Sequence, residues 1–160
     1  RIPIGIVEGI VAIHRYDVVI DGQVNHAGTT PMNERHDAMV AASQLTLAVR
    51  EIASRRQGRQ VGTVGRIEIE PNSPNVIPGK AALSIEFRDL SERVLIEMGD
   101  AIKARAAAIA TETGTAITLT LGAPFFGYGF AIALLITVIT ALVMLESRLK
   151  YLEYETFMLQ

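Results

Sequence analysis

The sequence contains no cysteine, which excludes disulfide bonds and thiolate metal sites. It also has no block of like charge: 15 Lys and Arg residues stand against 17 Asp and Glu residues, for a net charge of −2. Because no basic patch is visible, we set aside nucleic-acid-binding functions. Neither the Gly-x-Ser-x-Gly elbow of serine hydrolases nor a phosphate-binding glycine loop occurs.

The start of the chain also lacks two features. Residues 1–5 contain no initiator methionine and show no signal-peptide pattern, so we expect the sequence to be the middle of a longer protein. Its 160 residues are enough for one ordinary domain, or for a small domain with an appendage.

Charged residues are absent between Thr113 and Leu145, although they recur every few residues before that stretch. The change in composition predicts a boundary near Gly122, with one domain over residues 1–122 and a hydrophobic segment over residues 123–160. The apolar run 123–145 is long enough to cross a bilayer core, which takes about 20 residues. It is predicted to span a membrane, with a buried core helix or an interfacial segment as the alternatives.

The most informative stretch within residues 1–122 is Asn25-His26-Ala27-Gly28-Thr29-Thr30-Pro31-Met32. A predicted strand precedes it and a helical pattern follows, an arrangement that fixes a side chain at the edge of a domain. Thr29 or Thr30 is expected to cap the next turn, with Pro31 as its first helical residue. The alternative is a capped turn with an incidental histidine.

Hydrophobic periodicity predicts six main elements in this domain. Alternating apolar residues indicate strands, and apolar residues spaced three and four apart indicate helices. Asp37 is the predicted cap of the first helix and Gly114 the stop of the second. The predicted order is strand 10–21, helix 37–56, strand 61–70 with an irregularity expected at Gly65, a proline-rich loop 71–79, strand 81–88, helix 91–113 and strand 115–121.

This order favours an α+β fold, the ferredoxin-like βαββαβ sandwich. Its four-stranded antiparallel sheet would carry two helices on one face. The fold supports many unrelated functions, so it does not identify one.

Four motifs in one order resemble the M20 metallohydrolase family. The long His-Ala-Gly-Thr-Thr-Pro-Met form is similar to its carbamoylase branch, which includes N-carbamoyl-L-amino-acid hydrolases, allantoate amidohydrolases and β-ureidopropionases. The resemblance implies that residues 1–122 are the lid, or dimerisation, domain that this family inserts into a larger catalytic domain. The motifs are residues 25–32, Gly62-Thr63-Val64-Gly65-Arg66, Pro74-Asn75-Val76-Ile77-Pro78-Gly79 and Phe87-Arg88-Asp89-Leu90.

The resemblance also implies roles for four residues. His26 would stabilise the oxyanion in the partner subunit of a homodimer. Arg88 would hold the substrate carboxylate, Asn75 would bind substrate, and Arg15 would make a further contact. Read without the family, Asn75 closes its own turn and Arg88 is a solvated charge at a strand end.

The parent enzyme is expected to bind two divalent metals (Zn, Mn, Co or Ni) that activate water. The family's ligands for them lie outside this sequence. His14 and His36 have no motif around them and are predicted to be surface or cap residues, so we predict no metal or other cofactor in this chain. Alone, the chain should be inactive.

Two other functions compete with the amidohydrolase fragment. One is a non-catalytic dimerisation or interaction module, tethered to a membrane by residues 123–145, and the other is a regulatory domain that binds amino acids. The family implies a cytoplasmic location, and the hydrophobic segment implies membrane anchoring as the alternative. Because a soluble amidohydrolase has no use for such a segment, we suspect a frame shift or a fusion near Gly122.

Overall fold

The computed structural model describes residues 9–122 and 135–149. The chain divides into two compact units, Arg1–Gly122 and Ala123–Gln160, and each is considered by itself.

The first unit is built on a four-stranded antiparallel sheet. Neighbouring strands follow the order β3-β5-β1-β6, and a separate two-stranded ladder joins β2 to β4. The predicted ferredoxin-like fold is therefore confirmed. The strands are β1 (Ala12–Asp21), β2 (Asn25–His26), β3 (Val61–Glu70), β4 (Val76–Ile77), β5 (Lys80–Asp89) and β6 (Ala116–Leu121).

Two helices of this unit begin and end at the residue types that the sequence indicated. Helix α1 (Ala38–Ser54) is capped by Asp37, whose carboxylate accepts hydrogen bonds from the amides of Met39 and Val40. Helix α2 (Glu92–Thr113) ends at Gly114, which adopts the left-handed conformation with φ of 65°. A β-carbon at Gly114 would also lie 2.2 Å from Nδ1 of His36, so both the backbone angle and the space require glycine.

The core lies between the two helices and one face of the sheet. Alternate residues of β1 and β5 point into it, and the apolar stripes of α1 and α2 cover them, which removes these side chains from water. The largest fully buried side chains are Phe87, Ile20, Leu45, Leu83, Ile85, Leu95, Ile102, Ile109, Val18 and Val49. The other face of the sheet is open and mostly polar, with Ile13, Val19 and Val61 exposed on it.

Two local predictions have different outcomes, one on strand β3 and one on the turn after His26. The register of β3 against β5 shifts between Val64 and Arg66, which confirms the irregularity expected at Gly65. The predicted threonine cap is wrong: Pro31 occupies the cap position of a short 3-10 helix, Met32–Glu34, without a side-chain capping bond. Thr30 instead donates its hydroxyl to the carbonyl of His26 at 2.9 Å.

In the second unit, the structure describes a helix over residues 135–149, named α3 here. Its apolar side chains are exposed, Leu135 by 58% and Met144 by 65%. None of the helices in 9–122 and 135–149 is both long and apolar enough to span a bilayer. The predicted span 123–145 is not supported by this finding, and its first part, 123–134, lies outside the described residues.

Candidate functional site

His26 lies at the rim of the sheet domain. It is the last residue of β2 and pairs with Val76 of β4, and its side chain is exposed. The short β2–β4 ladder, which the sequence analysis did not predict, joins the histidine stretch to the proline-rich loop. Three prolines prevent a long ladder there, but two residues suffice to bring the two motifs together.

The His26 ring is oriented by the backbone two residues further on. The Gly28 amide donates a hydrogen bond of 3.0 Å to Nδ1. Nδ1 is therefore an acceptor, and a neutral imidazole must carry its proton on Nε2. Nε2 has no hydrogen-bond partner among the described residues, so its N–H is available as a donor at the domain surface.

A side chain at residue 28 would press on the same ring. A β-carbon built there would lie 3.0 Å from Cε1 of His26, which is closer than ordinary van der Waals contact. Glycine at this position therefore leaves room for the ring, while its backbone amide donates the hydrogen bond.

Arg35 fixes the loop that follows His26, and the sequence analysis missed it. Its guanidinium donates to the carbonyl of Thr30 from Nε at 3.1 Å and from Nη2 at 2.9 Å, and to the carbonyl of Ala27 from Nη2 at 2.8 Å. The amide of Thr30 in turn donates to the carbonyl of His26 at 3.1 Å. Only the closeness of an arginine to the motif could have suggested this role.

Asn75 lies beside His26 through main-chain contacts. The Ala27 amide donates to the Asn75 carbonyl at 3.0 Å. The Asn75 side chain makes a hydrogen bond within its own loop, since its Oδ1 accepts from the hydroxyl of Ser73 at 2.8 Å. This contact agrees with the alternative interpretation, in which Asn75 closes its own turn. Its amide nitrogen has no partner within 9–122 or 135–149, so it remains a donor at the same rim.

Arg15 and Arg88 lie elsewhere, on the open face of the sheet, where Glu86 joins them. Arg15 is directly opposite Glu86 across β1 and β5 and donates to its Oε2 from Nε at 3.1 Å and from Nη2 at 2.5 Å. Arg88 donates from Nε to Oε1 of the same carboxylate at 2.5 Å. The three side chains line a groove of about 780 Å³ that also includes Thr63 and Arg66.

The carboxylate of this cluster is held in its charged form. The hydrogen bond from Arg15 lowers the pKa of Glu86, burial opposes the shift, and Arg88 lowers the pKa further through its own hydrogen bond and charge. Glu86 is another residue that the sequence analysis missed. Strand alternation placed it on the polar face, but no sequence signal paired it with Arg15, from which it is separated by 71 positions.

The structure therefore sorts the four predicted site residues into two groups. His26 and Asn75 lie at the β2–β4 rim, just before β5 begins at Lys80. Arg88 is eight residues further along β5, which corresponds to about 26 Å of strand. Within one chain, the oxyanion candidate and the carboxylate-binding candidate are at opposite ends of the sheet.

The other two histidines do not belong to either group. His14 is half-buried and its Nε2 lies 2.8 Å from Oε1 of Glu92, while the Nδ1 of His36 is buried beside Gly114. Across the described ranges 9–122 and 135–149, no group of three His, Asp or Glu side chains could hold a metal ion.

Comparison with known proteins identifies the domain. A family model described as "Peptidase dimerisation domain", M20_dimer, matches residues 9–114. The chain belongs to this family. A second family model, described as "Putative exopolysaccharide Exporter (EPS-E)", matches residues 97–157. It covers less than half of the chain, and its match begins inside α2.

Relatives of this dimerisation domain include carbamoyl amidohydrolases. The chain is 41% identical over 111 residues to an N-carbamoyl-L-amino acid amidohydrolase of Geobacillus stearothermophilus. The matched region covers 69% of this chain and 27% of that protein. It is 38% identical over 109 residues to an allantoate amidohydrolase of Escherichia coli K12, spanning 68% of this chain and 26% of the relative.

A solved structure agrees with these relatives. The hydantoinase/carbamoylase family amidase from Burkholderia ambifaria matches with a TM-score of 0.72 at 31% identity, over 75% of this chain and 29% of that one. The resemblance to the carbamoylase branch of the M20 family, which the motifs indicated, is confirmed. The chain nevertheless spans only about a quarter of the length of the curated relatives it matches.

Proposed function

We propose that residues 9–122 are the lid, or dimerisation, domain of a metal-dependent amidohydrolase that hydrolyses the carbamoyl or ureido C–N bond of N-carbamoyl amino acids or allantoate. The observation that carries the proposal is the ring of His26. Its Nδ1 is occupied by the Gly28 amide at 3.0 Å, so a donor at Nε2 is presented at the surface before any substrate arrives.

Such a donor suits the chemistry of C–N bond hydrolysis. When water adds to the carbamoyl carbon, negative charge develops on the substrate oxygen, and a donor already in position stabilises that charge without reorganisation. The main-chain bonds and Arg35 restrict the loop that carries His26, which provides this preorganisation. Loss of one such donor typically costs about 10²- to 10³-fold in kcat.

The remaining site residues would bind the other parts of the substrate. Arg88 and Arg15 present guanidinium groups, whose planar donors match a carboxylate. Asn75 offers an amide donor beside His26. In the family the metal ligands belong to the catalytic domain, so this domain would contribute hydrogen bonds and charge, and we expect the chain alone to be inactive.

The two-group arrangement supports a homodimer in which each active site draws on both subunits. One end of the domain, with Arg15 and Arg88, would serve its own catalytic domain, and the other end, with His26 and Asn75, would serve the partner's. The family match to a dimerisation domain supports self-association. Strand β3, at one edge of the sheet, leaves Ile67 48% exposed and could pair with a second copy.

A mixing experiment tests the proposal directly. Residues 9–122 would replace the dimerisation domain of the Geobacillus N-carbamoyl-L-amino acid amidohydrolase, and His26→Ala and Arg88→Ala would be made separately. Each variant should be nearly inactive. If the two residues of one site come from different subunits, random mixing makes half of the dimers mixed, each with one intact site, so about a quarter of the unmutated activity should return.

Controls separate the possible outcomes. His14→Ala, which removes an imidazole distant from the rim, should leave kcat unchanged. If the mixture stays inactive while mixed dimers form, the two residues act within one subunit and the shared-site arrangement is wrong. If His26→Ala retains full activity, the oxyanion role is wrong.

A second candidate is a non-catalytic self-association module. It is favoured by the second family match, over residues 97–157. The module predicts that the grafted enzyme forms dimers but has no activity. The cytoplasmic location implied by the family stays a prediction.

We also propose that residues 123–160 are foreign to the amidohydrolase family and were joined to it by a fusion or a frame shift. The match of residues 97–157 to a different family model supports this proposal. Sequencing the DNA across codons 115–130 tests it, because a single intact frame together with native expression of the whole chain would contradict it.

A further inference from the structure

One carboxylate fixes both arginines of the open sheet face. Glu86 uses Oε2 to accept two hydrogen bonds from Arg15 and Oε1 to accept one from Arg88, at distances of 2.5 to 3.1 Å. Because the two guanidinium groups share one acceptor through different oxygen atoms, their positions are coupled. A change at Glu86 would release both at once.

Glu86 is more deeply buried than Arg15 and Arg88, and some N–H groups of the two arginines stay free. The Glu86 side chain is only 19% exposed, whereas Arg15 is 50% and Arg88 46% exposed. The carboxylate therefore lies beneath the guanidinium groups. Arg88 has used only Nε, and Arg15 retains Nη1, so within the described part of the chain these unused N–H groups remain for a ligand in the groove.

The charge of the cluster also restricts the ligand. Two guanidinium groups and one carboxylate leave a net charge of about +1, which one carboxylate group neutralises. The groove of about 780 Å³ has the size of a site for a small organic molecule. Arg66, the next cation on this face, lies 3.7 Å from Asp17, so its charge is partly balanced already.

We propose that Glu86 is a positioning residue that holds Arg15 and Arg88 as a clamp for a single carboxylate group, and that it thereby selects monoanionic over dianionic N-carbamoyl amino acids. This proposal rests on the proposed function, which assigns the two arginines to the substrate.

Binding to the full chain tests the proposal by NMR titration of the ¹⁵N-labelled protein. The probes are N-carbamoyl-L-alanine, a monoanion, and N-carbamoyl-L-aspartate, a dianion. Glu86→Gln keeps the shape of the side chain but removes its charge and one acceptor. We expect it to weaken binding of the monoanion by about tenfold, because both guanidinium groups lose their orientation, and to shift selectivity towards the dianion.

Glu68→Gln is the matched control. Glu68 lies on the same open face in β3, opposite Ala82, and its side chain is 65% exposed. Its substitution adds the same +1 to the face and removes its own contact with Arg66, at 3.9 Å, but it does not touch Arg15 or Arg88. If Glu86→Gln and Glu68→Gln give the same affinities and the same selectivity, Glu86 acts only through its charge and the positioning role is overturned.

A third probe separates this proposal from the proposed function. Propionate carries the carboxylate without the carbamoyl group. If the unmutated chain binds propionate as tightly as N-carbamoyl-L-alanine, and Glu86→Gln weakens both, the clamp stands and the carbamoyl substrate is contradicted. If the signals of Arg15 and Arg88 respond to none of the anions, the clamp itself is contradicted.

Discussion

At the rim of the sheet, His26 is held by main-chain groups: the Gly28 amide donates to its ring, and its carbonyl accepts from Thr30. On the open face, Arg15 and Arg88 are held by a carboxylate. The contacts of His26 itself join main-chain groups to neutral acceptors, whereas the open-face contacts join flexible charged side chains to each other.

This difference indicates what each region can do. A main-chain framework restricts a donor to a narrow position, which suits stabilisation of charge that forms at one atom. An ion-pair cluster tolerates small movements and attracts anions over a longer range, but salt and protonation weaken it. The rim should therefore respond to changes of shape, and the open face to changes of charge.

The largest effect on stability is expected from removing the support of the rim. Arg35→Ala deletes three hydrogen bonds to the carbonyls of Thr30 and Ala27 and leaves part-buried acceptors without them. We expect the free energy of unfolding to fall by about 2 kcal/mol, measured by urea denaturation of the full chain. Amide hydrogen exchange at residues 27–30 should accelerate as well.

Arg59→Ala provides the comparison for that variant. Arg59 is exposed and has no hydrogen-bond partner among the described residues, so its loss should change stability by less than about 0.5 kcal/mol. Equal effects of the two substitutions would show that the rim does not depend on Arg35.

The sequence predicted the features that depend on neighbouring residues, but it did not predict the contacts between residues far apart in the chain. Asp37 as a cap, Gly114 as a helix end and the irregularity at Gly65 are local signals, and all three are confirmed. The pairing of Arg15 with Glu86 depends on the register of two strands 71 positions apart, which periodicity does not determine.

The separation of the two site groups was also hidden in the sequence. Asn75 and Arg88 are only 13 positions apart, but nearly all of β5 lies between them. A strand extends about 3.3 Å per residue, so two residues that are close in sequence lie at opposite ends of the sheet. The resemblance supplied the residue types, and only the fold showed that they serve two ends of the domain.

A smaller effect is expected from a change of shape at the rim. Gly28→Ala introduces a methyl group 3.0 Å from Cε1 of His26, so the ring must shift by a few tenths of an ångström. In the grafted enzyme we expect kcat to fall by about three- to tenfold with KM nearly unchanged, because the displaced donor acts in the transition state.

Gly65→Ala is the matched substitution on the sheet. Residue 65 lines the groove of the open face, but a β-carbon there would meet no atom within 4 Å, and the rim donor is untouched, so kcat should stay as it was. A large rise in KM for Gly28→Ala, with kcat preserved, would instead indicate that residue 28 acts in substrate binding rather than on the ring.

The smallest expected effect is a difference in pH dependence between the hydrogen bonds of the open face and those of the rim. Because the pKa of Glu86 is lowered, chiefly by its hydrogen bond from Arg15, its ion pairs contribute stability above the ordinary glutamate pKa of about 4.3. They lose it as pH falls through the lowered value. Arg35 donates to carbonyl oxygens, which do not titrate.

The Nε–H signals of the three arginines report this difference, since each Nε makes a hydrogen bond in the structure. On acidification from pH 7, the signals of Arg15 and Arg88 should move together, at a pH below that at which an ordinary glutamate titrates, while that of Arg35 stays in place. The stability advantage of the unmutated chain over Glu86→Gln, expected to be below about 1 kcal/mol, should disappear over the same pH range. If Arg15 and Arg88 instead moved at different pH values, the two guanidinium groups would not share one carboxylate, and the open face would consist of independent surface charges.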